Sequence, residues 1–252
     1  MKFILSVLLC IPAFAFTRAQ STHAQDQAQG VQLQAQSQDI VEPGSKSINQ
    51  EYLKPRNVFE KLSWFDSTGK PTAQMVLNLV TRIDSAHKKL IFLQIRNDGK
   101  KDSTIAEWPS LRPIYSSETT LRGRESICDY SGDKLIRVIE RNNGEKKSDT
   151  SYTINSPYLD GYLTDYLLGA LPLKPGYHGR FTTGGGAPVV VTVKEVYTDV
   201  LTSGDGHSIQ ANLVLVDFNG HNVLYWIDKS SGEILKSVYR TTEGNLFMKS
   251  KI

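Results

Sequence analysis

Residues 176–188 read GYHGRFTTGGGAP, with five glycines in eleven residues beside an arginine and two threonines. Glycine loops of this kind can cradle phosphate. That chemistry needs a strand before the loop and a helix after it, so that helix N–H groups face the anion. Here the glycines are followed by Pro188 and the β-branched run Val189 to Tyr197, which predicts a strand. Neither G-x-x-x-x-G-K-[ST] nor G-x-G-x-x-G occurs. The stretch is expected to be a strand around 179–182, a glycine turn, and a strand over 189–197; a flexible loop at a cavity mouth is the alternative.

The remaining reactive side chains form no local motif. His23, His87, His178, His207 and His221 never fall at i, i+2 or i, i+4, and H-E-x-x-H and G-x-S-x-G are absent. Asp205-Gly206 lacks the alternating oxygen ligands of an EF-hand loop. Cys128 sits in the strand-like run Glu125 to Tyr130 and is expected as a small buried side chain rather than a nucleophile. No cofactor or metal is expected, and the chain is read as non-enzymatic. A hydrolase with a noncontiguous His, Ser and Asp site is the third alternative.

The aromatic residues are more informative. Trp64-Phe65, Trp108, Tyr115, Tyr225-Trp226 and the tyrosines near 160 either fill a core or line an apolar pocket. Tyr162, Tyr166, Arg180 and Trp226 are the expected ligand-binding residues.

The elements that would position them are strands. Met75, Leu77, Leu79 and Ile83 share one face at period two, and Lys89 to Ile95 is apolar on both faces. Turn signals recur at 97–100, 131–133, 142–145, 219–220, 230–233 and 243–245. Gly220, Gly232 and Gly244 lie at a step of 12, the spacing of an antiparallel meander with strands near 209–218, 221–228, 234–241 and 246–251. One segment departs from this pattern. Ser156 as N-cap, Pro157 in the first turn, and Leu159, Tyr162, Leu163, Tyr166 and Leu167 at helical spacing predict a helix from Pro157 to Leu168. The fold class is mainly β: a large curved antiparallel meander or incompletely closed barrel packed on one short helix, about 157–168.

The N-terminus carries an address. Met1-Lys2, an apolar run from Phe3 to Phe16, and Ala13, Ala15 and Ala19 form a secretory signal peptide, residues 1–19, with cleavage after Ala19 or after Ala15. Leu9 precedes Cys10 where a lipidated cysteine requires a small residue, so lipidation is not expected. Once the signal is removed, Cys128 remains alone and no internal disulfide can form. Glutamine recurs through 20–38 and aromatic residues are absent over 21–50, so residues 20–50 are expected to be a flexible tether. A single antiparallel β domain is expected over 51–252. The net charge of +3 and short isolated lysine pairs give no basis for nucleic-acid binding. No later segment is long and apolar enough for a transmembrane helix.

The segment Leu-Pro-Leu-Lys-Pro-Gly-Tyr at 171–177, the strands that follow it, and Trp-Ile-Asp-Lys-Ser-Ser-Gly-Glu at 226–233 resemble a family of bacterial exported proteins of unknown function. Structures of that family are similar to the lipoprotein-carrier (LolA/LolB-like) fold, an incompletely closed antiparallel half-barrel with helical cover. The resemblance spans about 155–252 and carries no catalytic assignment. It implies a shape able to hold a hydrophobic or lipid-like ligand or to dock an envelope protein. The expected location is the periplasm or exterior of a Gram-negative bacterium. The alternative from another class is a structural module that pairs through its strand edges.

Overall fold

The computed structural model describes residues 38–119, 124–130, 135–154, 157–184, 188–202 and 206–252. The signal peptide, most of the expected tether, Ser156, the turn at 131–133, Gly185, Gly186 and Asp205 lie outside the described residues. In chain order the strands are β1 (Asp39–Ile40), β2 (Arg56–Phe65), β3 (Pro71–Asp84), β4 (Lys89–Arg96), β5 (Lys101–Glu107), β6 (Pro113–Thr119), β7 (Arg124–Tyr130) and β8 (Leu135–Asn142). They continue as β9 (Glu145–Thr153), β10 (Leu159–Asp160), β11 (Gly179–Gly184), β12 (Val189–Thr202), β13 (Ser208–Phe218), β14 (His221–Asp228), β15 (Ile234–Arg240) and β16 (Leu246–Lys251). One helix, α1 (Thr164–Ala170), follows a single 3-10 turn at Gly161–Leu163.

The fold is mainly β, a large open curved sheet with one short helix. Its strand order is β1-β11-β12-β13-β14-β15-β16-β2-β3-β4-β5-β6-β7-β8-β9, with β10 attached to β11. Antiparallel hairpins build nearly all of it. The tight turns use the residues that tolerate positive φ: Asn143 and Gly144 at 50° and 83°, Asn219 and Gly220 at 50° and 94°. The C-terminal meander follows the turn spacing to within one residue at each strand boundary. β16 then pairs antiparallel with β2, joining the C-terminal half to the N-terminal half.

Cross-strand partners share a face of the sheet, so register separates inside from outside. Val191, Val193, Val196, Val214, Val216, Tyr225, Ile227, Leu90 and Phe92 are buried together with Leu163, Tyr166, Leu167 and Leu168 from the helical segment. This is the inner, concave face. A smaller cluster of Cys128, Tyr130, Ile136, Ile154 and Tyr158 sits under β7 and β8.

The helix begins later than expected. Leu159 and Asp160 are extended and pair in parallel with Thr183 and Gly184 of β11. Asp160 caps the following turn by accepting the Tyr162 N–H at 2.9 Å. Its carboxylate also accepts two hydrogen bonds from the sheet, which holds the chain extended at this point and moves the helix start beyond Pro157.

The N-terminal boundary also differs. The Asp39 and Val41 N–H groups donate to the His178 and Arg180 carbonyls at 2.9 and 2.8 Å. Val41, Ile48 and Leu53 are buried in the main core, and the Asn49 N–H caps the helix end at the Ala170 carbonyl. The segment expected as tether is therefore packed onto the sheet over 39–50: its two buried aliphatic side chains, Val41 and Ile48, and the open edge of β11 bind it without any aromatic residue of its own.

Candidate functional site

The four side chains expected at a ligand site do not come together. Tyr166 is buried. Its hydroxyl donates to the Lys54 carbonyl at 2.9 Å, and the Arg56 guanidinium carbon lies 5.1 Å from its ring centroid. Arg56 in turn donates to the carbonyls of Tyr52 and Ser231 at 2.6 and 2.8 Å, so this pair ties α1 to β2 and to the β14–β15 hairpin. Burial pushes the Tyr166 hydroxyl well above the ordinary tyrosine range. Tyr162 packs against the main core and bonds Glu118. Arg180 is exposed on β11, on the face opposite to the buried Phe181. Trp226 is on the outer face as well: its indole N–H donates to Asp199 Oδ2 at 2.7 Å and the Lys236 ammonium lies 5.0 Å from its ring centroid. Tyr225 and Trp226 are adjacent in a strand, so one must face in and one out. The helix packs on Tyr225.

The two strands read from the sequence on either side of the glycine turn form, as β11 and β12, while residues 185–187 of the turn lie outside the described residues. Gly179 has a packing reason. A Cβ there would lie 2.5 Å from the Tyr177 hydroxyl oxygen, and that hydroxyl donates to Asp39 Oδ2 at 3.0 Å. The glycine thus lets Tyr177 fold back and clamp the N-terminal strand.

The inner face carries a chain of aromatic contacts that runs across four consecutive strands. Trp64 of β2 meets Phe247 of β16 edge to face at 6.2 Å. Phe247 meets Tyr239 of β15 at 5.9 Å, and Tyr239 meets His221 of β14 at 6.0 Å with a 3.1 Å hydroxyl–Nδ1 hydrogen bond. Register confirms a common face: Phe247 pairs with both Trp64 and Tyr239. Next to them, Phe218 and Val223 pack on the rim of the core while remaining partly accessible. Phe247 is 36% exposed although it lies on the concave side. Among the described residues the buried Trp64 indole N–H has no hydrogen-bond partner. Pairing alternation could have found this row, because Trp64, Tyr239 and Phe247 have the parity of their buried neighbours.

Farther along the same face the lining becomes polar. Gln94 donates to Asp102 Oδ2 at 2.9 Å, and Asp102 Oδ1 accepts the Thr119 N–H at 2.9 Å. Arg96 donates to the Thr119 carbonyl. Burial, and then the Asp102 charge, raise the Glu118 pKa; the Tyr162 hydroxyl and Arg96 oppose them. An acyl or aromatic body can lie on the aromatic side of this face, and hydrogen-bonding groups stand beside it.

Two buried polar assemblies brace the face. Asp160, fully buried, accepts Thr104 Oγ1 at 2.8 Å and the Tyr130 hydroxyl at 2.6 Å, linking β10 to β5 and β7. Lys249 of β16 pairs with Asp165 of α1 and lies 3.4 Å from Glu60 of β2. Burial alone lowers the Lys249 pKa, but Asp165 and Glu60 outweigh it and leave the lysine firmly protonated.

On the opposite end of the strands from the aromatic row, a groove of about 330 Å³ opens between Tyr52, Leu171 to Pro175, and Ile227 to Lys229. Among the described residues, no group of three or more His, Cys, Asp and Glu side chains could hold a metal ion. No helix among them is long and apolar enough to cross a membrane.

None of the curated proteins compared with the chain matches it. Among solved structures, it is similar to the crystal structure of a beta-barrel-like protein of the domain of unknown function DUF1849 from Brucella abortus. The identity is 9% and the TM-score 0.47, over 81% of this chain and 97% of that one. A family model matches residues 68–248, from the β2–β3 turn to β16, and so takes in the whole aromatic row except Trp64. The chain belongs to that family, DUF3108, proteins of unknown function.

Proposed function

We propose that this is an exported, non-enzymatic binding protein whose concave face holds an elongated apolar or lipid-like molecule. The observation that carries the reading is Phe247: a large apolar side chain on the inner face, 36% exposed, at the centre of the Trp64–Phe247–Tyr239 row. A large apolar side chain left accessible within an aromatic row on a concave face suits an apolar ligand. The polar groups Gln94, Arg96 and Glu118 on the same face suit the head of an amphiphile. The signal-peptide reading supports an exported location, periplasmic or outside a Gram-negative cell, without a lipid anchor, and the sequence resemblance at 171–177 and 226–233 is in keeping with that ligand class.

Edge pairing with an envelope protein is the weaker reading. Among the described residues β9 pairs only with β8, which leaves one edge open there, but that strand carries Glu145, Lys146, Lys147 and Asp149, the charges that discourage strand addition.

The test is native mass spectrometry of the mature protein from its own periplasm, with lipid extraction of the same sample. An apolar adduct that is lost in Phe247→Asp, with unchanged thermal unfolding, is the expected result. A clean apo mass for the wild type overturns the reading.

A further inference from the structure

An antiparallel sheet that packs one face on a core ordinarily shows polar side chains on the other. The outer face of β2–β6 departs from this. Val80 pairs with Leu93, and Ile91 with Ile105, all pointing away from the core residues Leu90 and Phe92. Ile95 extends the patch, and Phe59, 47% exposed, closes its edge. Each of these side chains is partly or fully accessible, and no described element lies over them. A contiguous exposed apolar patch of this kind marks a contact surface.

The charges around the patch identify what it contacts. Lys61 is the cross-strand partner of Val76, Arg82 of Ile91, and Lys101 of Ile95, so Arg82 and Lys101 stand directly beside the apolar patch and Lys61 stands at its margin, two residues from Phe59. Among the described residues none of the three has an acidic partner, whereas the acids of the same region are engaged by neighbouring side chains. Asp84 bonds His87 at 2.7 Å, and Glu107 lies 3.8 Å from Arg112. The face therefore presents aliphatic side chains within a net positive rim. The rim argues against a second copy of this chain: a two-fold contact would bring like charges together. The patch lies on the face of the sheet opposite the core residues Leu90 and Phe92, as a surface of flat strand side chains. A flat anionic surface with an apolar interior matches both features.

We propose that the outer face of β2–β6 docks on an anionic lipid bilayer, with Phe59 and the isoleucines at the headgroup boundary and Lys61, Arg82 and Lys101 on anionic headgroups. This inference is independent of the ligand reading. It concerns the opposite face and has its own readout.

The test is flotation of the mature protein with phosphatidylcholine vesicles, with and without phosphatidylglycerol, at low and high salt. Binding is expected only with phosphatidylglycerol and is expected to weaken with salt. Charge reversal at all three positions, Lys61→Glu, Arg82→Glu and Lys101→Glu, should weaken it by more than about a hundredfold, since loss of each basic group near such a surface alone costs about fivefold and the added acids are repelled. Phe59→Ser should weaken it while thermal unfolding stays unchanged, because the side chain is already exposed. Three results would each overturn the proposal: equal binding to neutral vesicles, no binding to either, or binding untouched by charge reversal. Concentration-dependent dimerisation abolished by Phe59→Ser would also overturn it, in favour of self-association.

Discussion

The Tyr130 hydroxyl donates to Asp160 Oδ2 at 2.6 Å, joining two residues 30 positions apart and closing the seam between β7 and β10. Asp160 also accepts Thr104 Oγ1 and the Tyr162 N–H, so one carboxylate ties β5, β7 and the first turn before α1 together. Replacing it with alanine removes all three bonds and leaves the Thr104 hydroxyl, itself fully buried, without its acceptor. Leaving buried polar groups unmatched costs about 1–3 kcal/mol each. Asp160→Ala should therefore lower stability by about 3 kcal/mol, which for a domain of this size is a drop of roughly 10 °C in the unfolding midpoint. Calorimetry on the variant checks this, and a shift under a few degrees would show that the seam is held by other contacts.

The same residue gives the protein a pH signature. Burial raises the Asp160 pKa above its ordinary 3.8, and the hydrogen bonds from Tyr130, Thr104 and Tyr162 offset that only in part. A raised folded-state value means that the native protein holds this proton when the unfolded chain has lost it. The associated stability is complete below pH 3.8 and declines as pH rises to the folded-state value. Asp160→Asn removes this contribution. The variant should gain on the wild type as pH rises through the acid range, by at most about 1.4 kcal/mol per pH unit. Urea unfolding at a series of pH values measures the difference, and two parallel curves would refute the assignment.

Gly169 and Gly232 touch backbone to backbone. A Cβ on Gly169 would lie 1.9 Å from the Gly232 carbonyl oxygen, and one on Gly232 would lie 2.3 Å from the Gly169 oxygen. Neither neighbour is a flexible side chain, so the helix and the β14–β15 hairpin must separate to admit a methyl group. Gly169→Ala should cost about 3 kcal/mol, the upper range for overpacking. Gly99→Ala is the control. It meets nothing within 4 Å but has a positive φ, so it should cost only about 1 kcal/mol.

The turn signals made the hairpins legible because Asn-Gly and related pairs act locally. Residues 219–220 and 243–245 needed no tertiary information to be placed. The inner face of β3 was legible for a similar reason, since period two is a local property of a strand. What was not legible depended on distant partners. Ser156 and Pro157 are good helix-start residues, yet the chain stays extended to Asp160 because hydroxyls from β5 and β7 hold that carboxylate. Val41 and Ile48 lie in a segment too poor in apolar residues to order itself, and the edge of β11 orders it. Tyr225 and Trp226 offered equal aromatic character, and only the position of α1 decides which one faces inward. The aromatic row at Trp64, Tyr239 and Phe247 was missed because its members are far apart in sequence and are brought together by the β16–β2 pairing.

Cys128 is 3% exposed, and its thiol pKa is pushed up to about 11, chiefly by burial and then by the nearby Asp160 carboxylate. The thiolate is the reactive form. At neutral pH the native protein should therefore react with a disulfide reagent only when it opens, whereas the urea-unfolded chain should react at the rate of a free thiol. Stopped-flow labelling in both states compares them. Similar rates would mean that the small cluster under β7 and β8 is open to solvent.

Lys249, Glu60 and Asp165 form an ionic triad between β16, β2 and α1. Its members are unequal. Burial raises the Glu60 pKa even with Lys249 beside it, while Lys249 stays protonated through its two carboxylates. Removing the cation leaves Glu60, 3% exposed, with no positive partner. A buried pair broken from one side costs about 3–5 kcal/mol. Lys249→Met should therefore destabilise the domain by about 3 kcal/mol. Glu60→Gln should recover much of that loss when added to Lys249→Met, because a neutral amide needs no counter-charge. In the wild-type background the same Glu60→Gln change should be mild, since Asp165 still pairs the lysine. Urea unfolding of the two single variants and the double gives the coupling energy directly, and effects that add would mean that Lys249 and Glu60 are neighbours without interacting.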